Sequence, residues 1–131
     1  MNLPIFHMIS GAPQPVAPYS HAVELDGWLF VTGQLATDVK YDASTIPEGI
    51  EAQTHKVMQN LRTVLQGVGV GFENVVCARV FLTHFDQDYA SMNRIYAGYF
   101  PPNRLPARTC VGVTALAGGG RVEIDLIACR P

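Results

Sequence analysis

Residues 105–127 hold the side chains best suited to chemistry. They read Leu-Pro-Ala-Arg-Thr-Cys-Val-Gly-Val, a Gly-rich turn, then Arg-Val-Glu-Ile-Asp-Leu-Ile. Arg108 offers a planar guanidinium that can grip a carboxylate through two parallel hydrogen bonds, a geometry lysine lacks. Glu123 can orient a water and take a proton from it, the work of a positioned general base. Cys110 brings a thiol, but no histidine stands in motif with it, so a nucleophilic role lacks its activating base. Together these residues suggest a site for a small anionic substrate. Each has a plainer reading on residue type alone. Arg108 could be an interface salt bridge, and Glu123 a sheet-edge acid paired with Arg121 or Arg130.

Two strand-like runs must carry these groups. Alternation puts Thr109, Val111, Val113 and Ala115 on a core face that continues through Val122, Ile124 and Leu126. The opposite face then carries Arg108, Cys110, Gly112, Glu123, Asp125 and Ile127. A hairpin turning at Gly118-Gly119 would set Arg108 near Cys129 and Glu123 near Thr114. The two charges would share a face yet stand about 20 Å apart at ~3.3 Å per residue. On that geometry they are either unrelated or joined in a site between subunits.

The rest of the chain supplies a scaffold. Residues 17–34 read as a hairpin around Asp26-Gly27, a pair suited to a type I′ turn. A polar loop over 35–46 follows, and Thr45 with Glu48 matches a capping box, with Pro47 in the first turn. The next helix has Ile50, Thr54, Val57, Leu61, Val64, Leu65 and Val68 on one stripe and stops at Gly67, Gly69 and Gly71. Residues 75–83 form a buried strand. Asp86 can cap a second helix carrying Tyr89, Met92, Tyr96 and Phe100, which Pro101-Pro102 ends. The order ββ-α-β-α-ββ predicts an α+β fold in one domain spanning 1–131, a single sheet with two helices on one face.

Composition excludes several classes. The chain has 131 residues, 48% of them apolar and 15% charged, with a formal charge of −2. Nine scattered basic residues argue against nucleic-acid binding, and no apolar run reaches the ~18 residues of a membrane span. The first ten residues lack the basic and apolar regions of a signal peptide. Cys77, Cys110 and Cys129 are odd in number and lack CxxC spacing, which fits a reducing cytosol. The four histidines show no metal-ligand spacing: His55 reads as a solvated helix residue, and His21 and His84 receive no role. The low charge favours an oligomer.

The chain resembles the RidA/YjgF family of enamine/imine deaminases. The resemblance rests on Pro18-Tyr19-Ser20-His21-Ala22, Thr32-Gly33-Gln34, Gln53-Thr54 with Asn60-Leu61, and Met92-Asn93 with Tyr96 and Phe100. Its most specific element is Pro106-Ala107-Arg108-Thr109-Cys110-Val111 with Val122-Glu123-Ile124-Asp125. It implies a fold like trimeric chorismate mutase and a homotrimer with three clefts between subunits. It also implies hydrolysis of 2-imino acids to 2-keto acids and ammonia without cofactor or metal. By the same resemblance Arg108 binds the substrate carboxylate and Glu123 manages the water. Cys110 contributes its backbone carbonyl, Tyr19 a hydroxyl at the cleft, and Gly33 close backbone approach. Asn93 either hydrogen-bonds substrate or braces the Arg108 strand. The chain departs from the family pattern at His21, at Leu35-Ala36 and at Leu116-Ala117, and loop 35–47 is where substrate choice could be set. Two other functions remain compatible with the residues: a non-catalytic sensor of a small keto acid, and a chorismate-mutase-like isomerase, for which a single placed cation is few.

Overall fold

A computed structural model describes residues 2–131. Six strands form one mixed sheet: β1 (Ile5–His7), β2 (Ala22–Leu25), β3 (Trp28–Gln34), β4 (Val75–Leu82), β5 (Ala107–Gly112) and β6 (Val122–Cys129). Their spatial order is β1-β2-β3-β6-β4-β5. Two helices, α1 (Ile50–Gly67) and α2 (Phe85–Ala97), complete an α+β architecture. No helix among the described residues is long and apolar enough to cross a membrane.

The core lies between the sheet and the helices. Val57, Met58, Leu61, Val64 and Leu65 of α1 are buried against Leu29, Val80, Val122, Ile124 and Leu126 of the strands. The 3.6-residue stripe meets the alternating strand face, and each fully buried aliphatic side chain contributes roughly 1.5–3 kcal/mol. The other face of the sheet is open. Trp28, Phe30 and Val111 lie 45%, 49% and 42% exposed there, large apolar side chains of the kind found at association surfaces.

Asp26 and Gly27 both take positive φ, 52° and 84°, and join β2 to β3 with Leu25 opposite Trp28, as the Asp-Gly pair predicts. Several sequence expectations need correcting. The 5–7 segment is a strand paired with β2, so the order gains an N-terminal strand. Thr45 does not cap α1. It belongs to a 3-10 turn at Ala43–Thr45 capped by Asp42, and α1 begins after Gly49, whose φ of 86° lets the chain turn sharply into the helix. His84, not Asp86, stands at the N-cap of α2.

The largest correction concerns the chain end. β5 does not form a hairpin with β6. It pairs in parallel with β4, through the crossover that α2 provides, while β6 runs antiparallel between β3 and β4. The Gly-rich segment around Gly118-Gly119 is a bridge across the end of β4, pinned where Val113 N–H donates to Leu82 O and Thr83 N–H to Arg121 O. In this register Arg108 stands beside Ala78, and Glu123 opposite Phe81.

Many residues of the family motifs act as fasteners. Asn60 Nδ2 donates to the carbonyls of Leu35 and Thr37, fixing the start of loop 35–47. Gln53 donates to Pro47 O and accepts from Arg121 N–H. His21 is buried, its Nδ1 accepting from Ile9 N–H at 2.7 Å and its Nε2 bonded to Pro13 O at 2.7 Å. Its two bonds require the neutral Nε2–H tautomer and tie residues 9–13 to the start of β2. His55, exposed as expected, meets the Tyr99 hydroxyl at 2.8 Å.

Edge strand β1 is held by one charged cluster. Glu24 accepts from Arg130 Nε and Nη2 at 2.6 and 2.8 Å and meets His7 Nε2 at 3.0 Å. Bonding first to Arg130 and then to His7 draws its carboxyl from an ordinary 4.5 down to about 2. A carboxyl depressed in the fold contributes stability above its unfolded value and loses it as pH falls through its folded one. Cross-strand NOEs between β1 and β2 should therefore disappear as pH falls from about 4.5 towards 2, and Glu24→Gln should weaken them at neutral pH. NOEs that persist at pH 2 would place the hold on β1 elsewhere.

Candidate active site

The candidate residues fall into two groups on opposite faces of the sheet. The first is built on β5 and α2. Arg108 shares a row with Ala78 and Leu126, both buried on the helix side. Its guanidinium lies over the rings of Tyr96 and Tyr89, 5.1 and 5.7 Å from their centroids, and Nη2 donates to Tyr89 Oη at 3.3 Å. Tyr89 in turn stacks on Phe85 with ring centroids 4.7 Å apart. Arg108 makes no ion pair among the described residues. A cation held by aromatic faces and left without a carboxylate is positioned to take an anionic ligand.

Two polar atoms on α2 lack partners inside the fold. The hydroxyl of Tyr96, a residue 5% exposed, and Oδ1 of Asn93 are buried without a hydrogen bond. Such atoms are uncommon and call for a ligand or water. Burial pushes the Tyr96 phenol up to about 12 against the pull of Arg108, so it stays a neutral donor. Cys110 lies two residues from Arg108 and packs against the core. Burial raises its thiol, again opposed by Arg108, which disfavours the thiolate a nucleophile needs. Because β5 is an edge strand, half its backbone groups are free for a ligand or another chain.

The second group faces the open side of the sheet. Glu123 is half-buried and makes no ion pair or side-chain hydrogen bond among the described residues. The pairings its plainer reading required are taken: Arg121 binds Asp88 at 2.8 Å, and Arg130 binds Glu24. Burial raises the Glu123 carboxyl, Asp125 raises it further, and Arg79 opposes both. Gly33 gives it room. The pairing of β3 with β6 shifts register between Val31 and Gln34, and a Cβ on Gly33 would crowd the end of the Glu123 side chain. Gly33 therefore leaves room for the carboxylate of Glu123 at an irregularity of the strand pairing.

Arg108 and Glu123 do not share a face, contrary to the alternation read from the sequence. Thr109 and Val111, placed on the core face by that reading, lie on the open side in register with Arg79 and Phe81. The shift of three positions along the strands and two strands across separates Arg108 from Glu123 by about 14 Å between Cα atoms. The sheet itself lies between their side chains. Tyr19 joins neither group: it is 39% exposed and its hydroxyl accepts from Val16 N–H at 3.1 Å. The sequence places Tyr89 and Tyr96 in the stripe of α2 but gives them no role at Arg108, because a helical stripe of aromatics ordinarily marks a core. Their spacing of seven puts both on the side of α2 that meets Arg108.

Comparison with known proteins agrees with this architecture. The endoribonuclease L-PSP family profile matches residues 9–130. A RutC family protein of Synechocystis is 42% identical over 92% of this chain and 92% of its own length. A mouse protein named 2-iminobutanoate/2-iminopropanoate deaminase is 37% identical over 91% of this chain and 86% of its own. The crystal structure of the yeast protein YEO7 matches with a TM-score of 0.91 at 29% identity, covering 98% of this chain and all of that one.

Proposed function

Since this chain belongs to the endoribonuclease L-PSP family, which includes the RidA/YjgF proteins, we propose that it hydrolyses reactive 2-imino acids to 2-keto acids and ammonia. Arg108 carries the reading: a guanidinium oriented by two tyrosines and left without a carboxylate in its own chain. Arg108 holds the substrate carboxylate. Glu123 takes a proton as water adds to C2 of the protonated imine. The resulting carbinolamine collapses as Glu123 returns that proton to nitrogen, the C–N bond breaks, and ammonia leaves while the hydroxyl proton passes back to the Glu123 carboxylate and the carbonyl forms. A protonated imine is electrophilic at carbon, so these steps call for neither metal nor covalent nucleophile. Asn93 and Tyr96, with their unpartnered polar atoms, supply further hydrogen bonds beside Arg108.

The active unit in this reading is a homotrimer. Placing Arg108 and Glu123 on opposite faces of one sheet requires a second copy to complete the site. The exposed apolar residues of the open face favour burial against such copies. Three sheets enclosing a barrel, as in trimeric chorismate mutase, would bring Arg108 of one subunit to Glu123 of the next.

The direct test is ammonia release from 2-iminopropanoate and 2-iminobutanoate generated in situ, alongside sedimentation of the same sample. Enzyme-dependent release from a trimer is expected. A stable monomer at micromolar concentration would remove the shared site, and keto-acid binding without ammonia release would leave a sensor in place of an enzyme.

A further inference from the structure

Glu123 has one charged pair as its neighbour on the open face. Arg79 of β4 stands directly opposite Asp125 of β6, and its Nε reaches the two carboxylate oxygens at 3.0 and 3.1 Å while Nη2 makes a third bond. Asp125 lies two positions beyond Glu123 on the same strand. The period of two puts both acids on one face, about 6.6 Å apart between Cα atoms. Arg79 also lies over the ring of Phe81, 5.6 Å from its centroid, and Phe81 is the residue opposite Glu123. Within its own chain the other surroundings carry little charge: β3 has no titratable side chain, on β4 Cys77 follows beyond Arg79, and Arg121, just before β6, is engaged by Asp88. In the proposed trimer Arg108 of the next subunit adds a fixed positive charge that all the variants below share.

We propose that the Arg79–Asp125 ion pair is a positioning pair that sets the proton affinity of Glu123. The inference rests on the general-base reading of Glu123 given above. The pair joins a largely exposed Arg79 to a mostly buried Asp125. Its two ends act on the neighbouring acid with opposite sign. Asp125 disfavours a second negative charge beside it, and Arg79 favours one. Held together they oppose each other, and the half-buried Glu123 can both accept a proton and return it.

Opposite signs make the test sharp. The acid limb of the kcat/KM profile reports ionisation of the base in the free enzyme. Asp125→Asn frees the positive charge of Arg79, and that limb should move to lower pH by about 0.5–1 unit. Arg79→Gln exposes the negative charge of Asp125 and should move it upward by a similar amount. The double variant should return near the unmodified profile, and Arg79→Lys, which keeps the charge, should stay there. The same shifts should appear in a 13C NMR titration of the Glu123 carboxyl, identified by its loss in Glu123→Gln. That readout needs no turnover, so it tests the pair even if imine hydrolysis fails. If the singles move Glu123 in the same direction, or only lower Tm and leave its titration unmoved, the pair is a strand fastener and the proposal is wrong.

Discussion

Arg108→Ala is expected to lower kcat/KM for imine hydrolysis more than 100-fold while the protein stays folded and assembled. Losing a charge-assisted, bidentate contact to a carboxylate costs roughly 3 kcal/mol or more, a factor above ~100 in rate. The fold should tolerate the change because Arg108 is partly exposed on an edge strand and pairs with no carboxylate of its own chain. Its rings, Tyr89 and Tyr96, lose a cation but keep their packing with Phe85 and Phe100. Steady-state kinetics with circular dichroism and sedimentation as controls check the result. Near-normal hydrolysis by a folded variant would mean that the substrate carboxylate is held elsewhere.

Glu123→Gln should lower turnover about 100-fold or more, in the range of a positioned acid–base group, with little change in keto-acid affinity. The amide keeps the shape that Gly33 accommodates but cannot take the proton from water. Cys110→Ser should retain most activity, since burial disfavours the thiolate. A large loss from Cys110→Ser with none from Glu123→Gln would replace the water mechanism with a thiol nucleophile. The two inactive variants also report on where the site lies. Refolded together in equal amounts, Arg108→Ala and Glu123→Gln subunits should regain about a quarter of normal activity, because random cyclic assembly pairs an intact Arg108 with an intact Glu123 in one site of four. No recovery from a mixed trimer would place both residues in a site belonging to one chain.

Much of this protein is legible in its residues because local physics decides it. The Asp26-Gly27 turn follows from the positive φ those residues tolerate, and the α1 stripe from a helical period that must bury one side. Arg108, Glu123 and Cys110 stand out because few side chains suit such chemistry, and the family resemblance follows from their motifs. What local signals could not decide was pairing. A Gly-rich segment between two strands reads as a hairpin, since adjacent strands usually pair, yet the α2 crossover brought β5 parallel to β4 and β6 into the middle of the sheet. The face of β5 changed with its partner, because a strand's two faces are equivalent until a neighbour assigns one to the core. Tertiary structure alone therefore set Arg108 among the tyrosines of α2, left Glu123 on the open side beside Arg79 and Asp125, and put the sheet between the two.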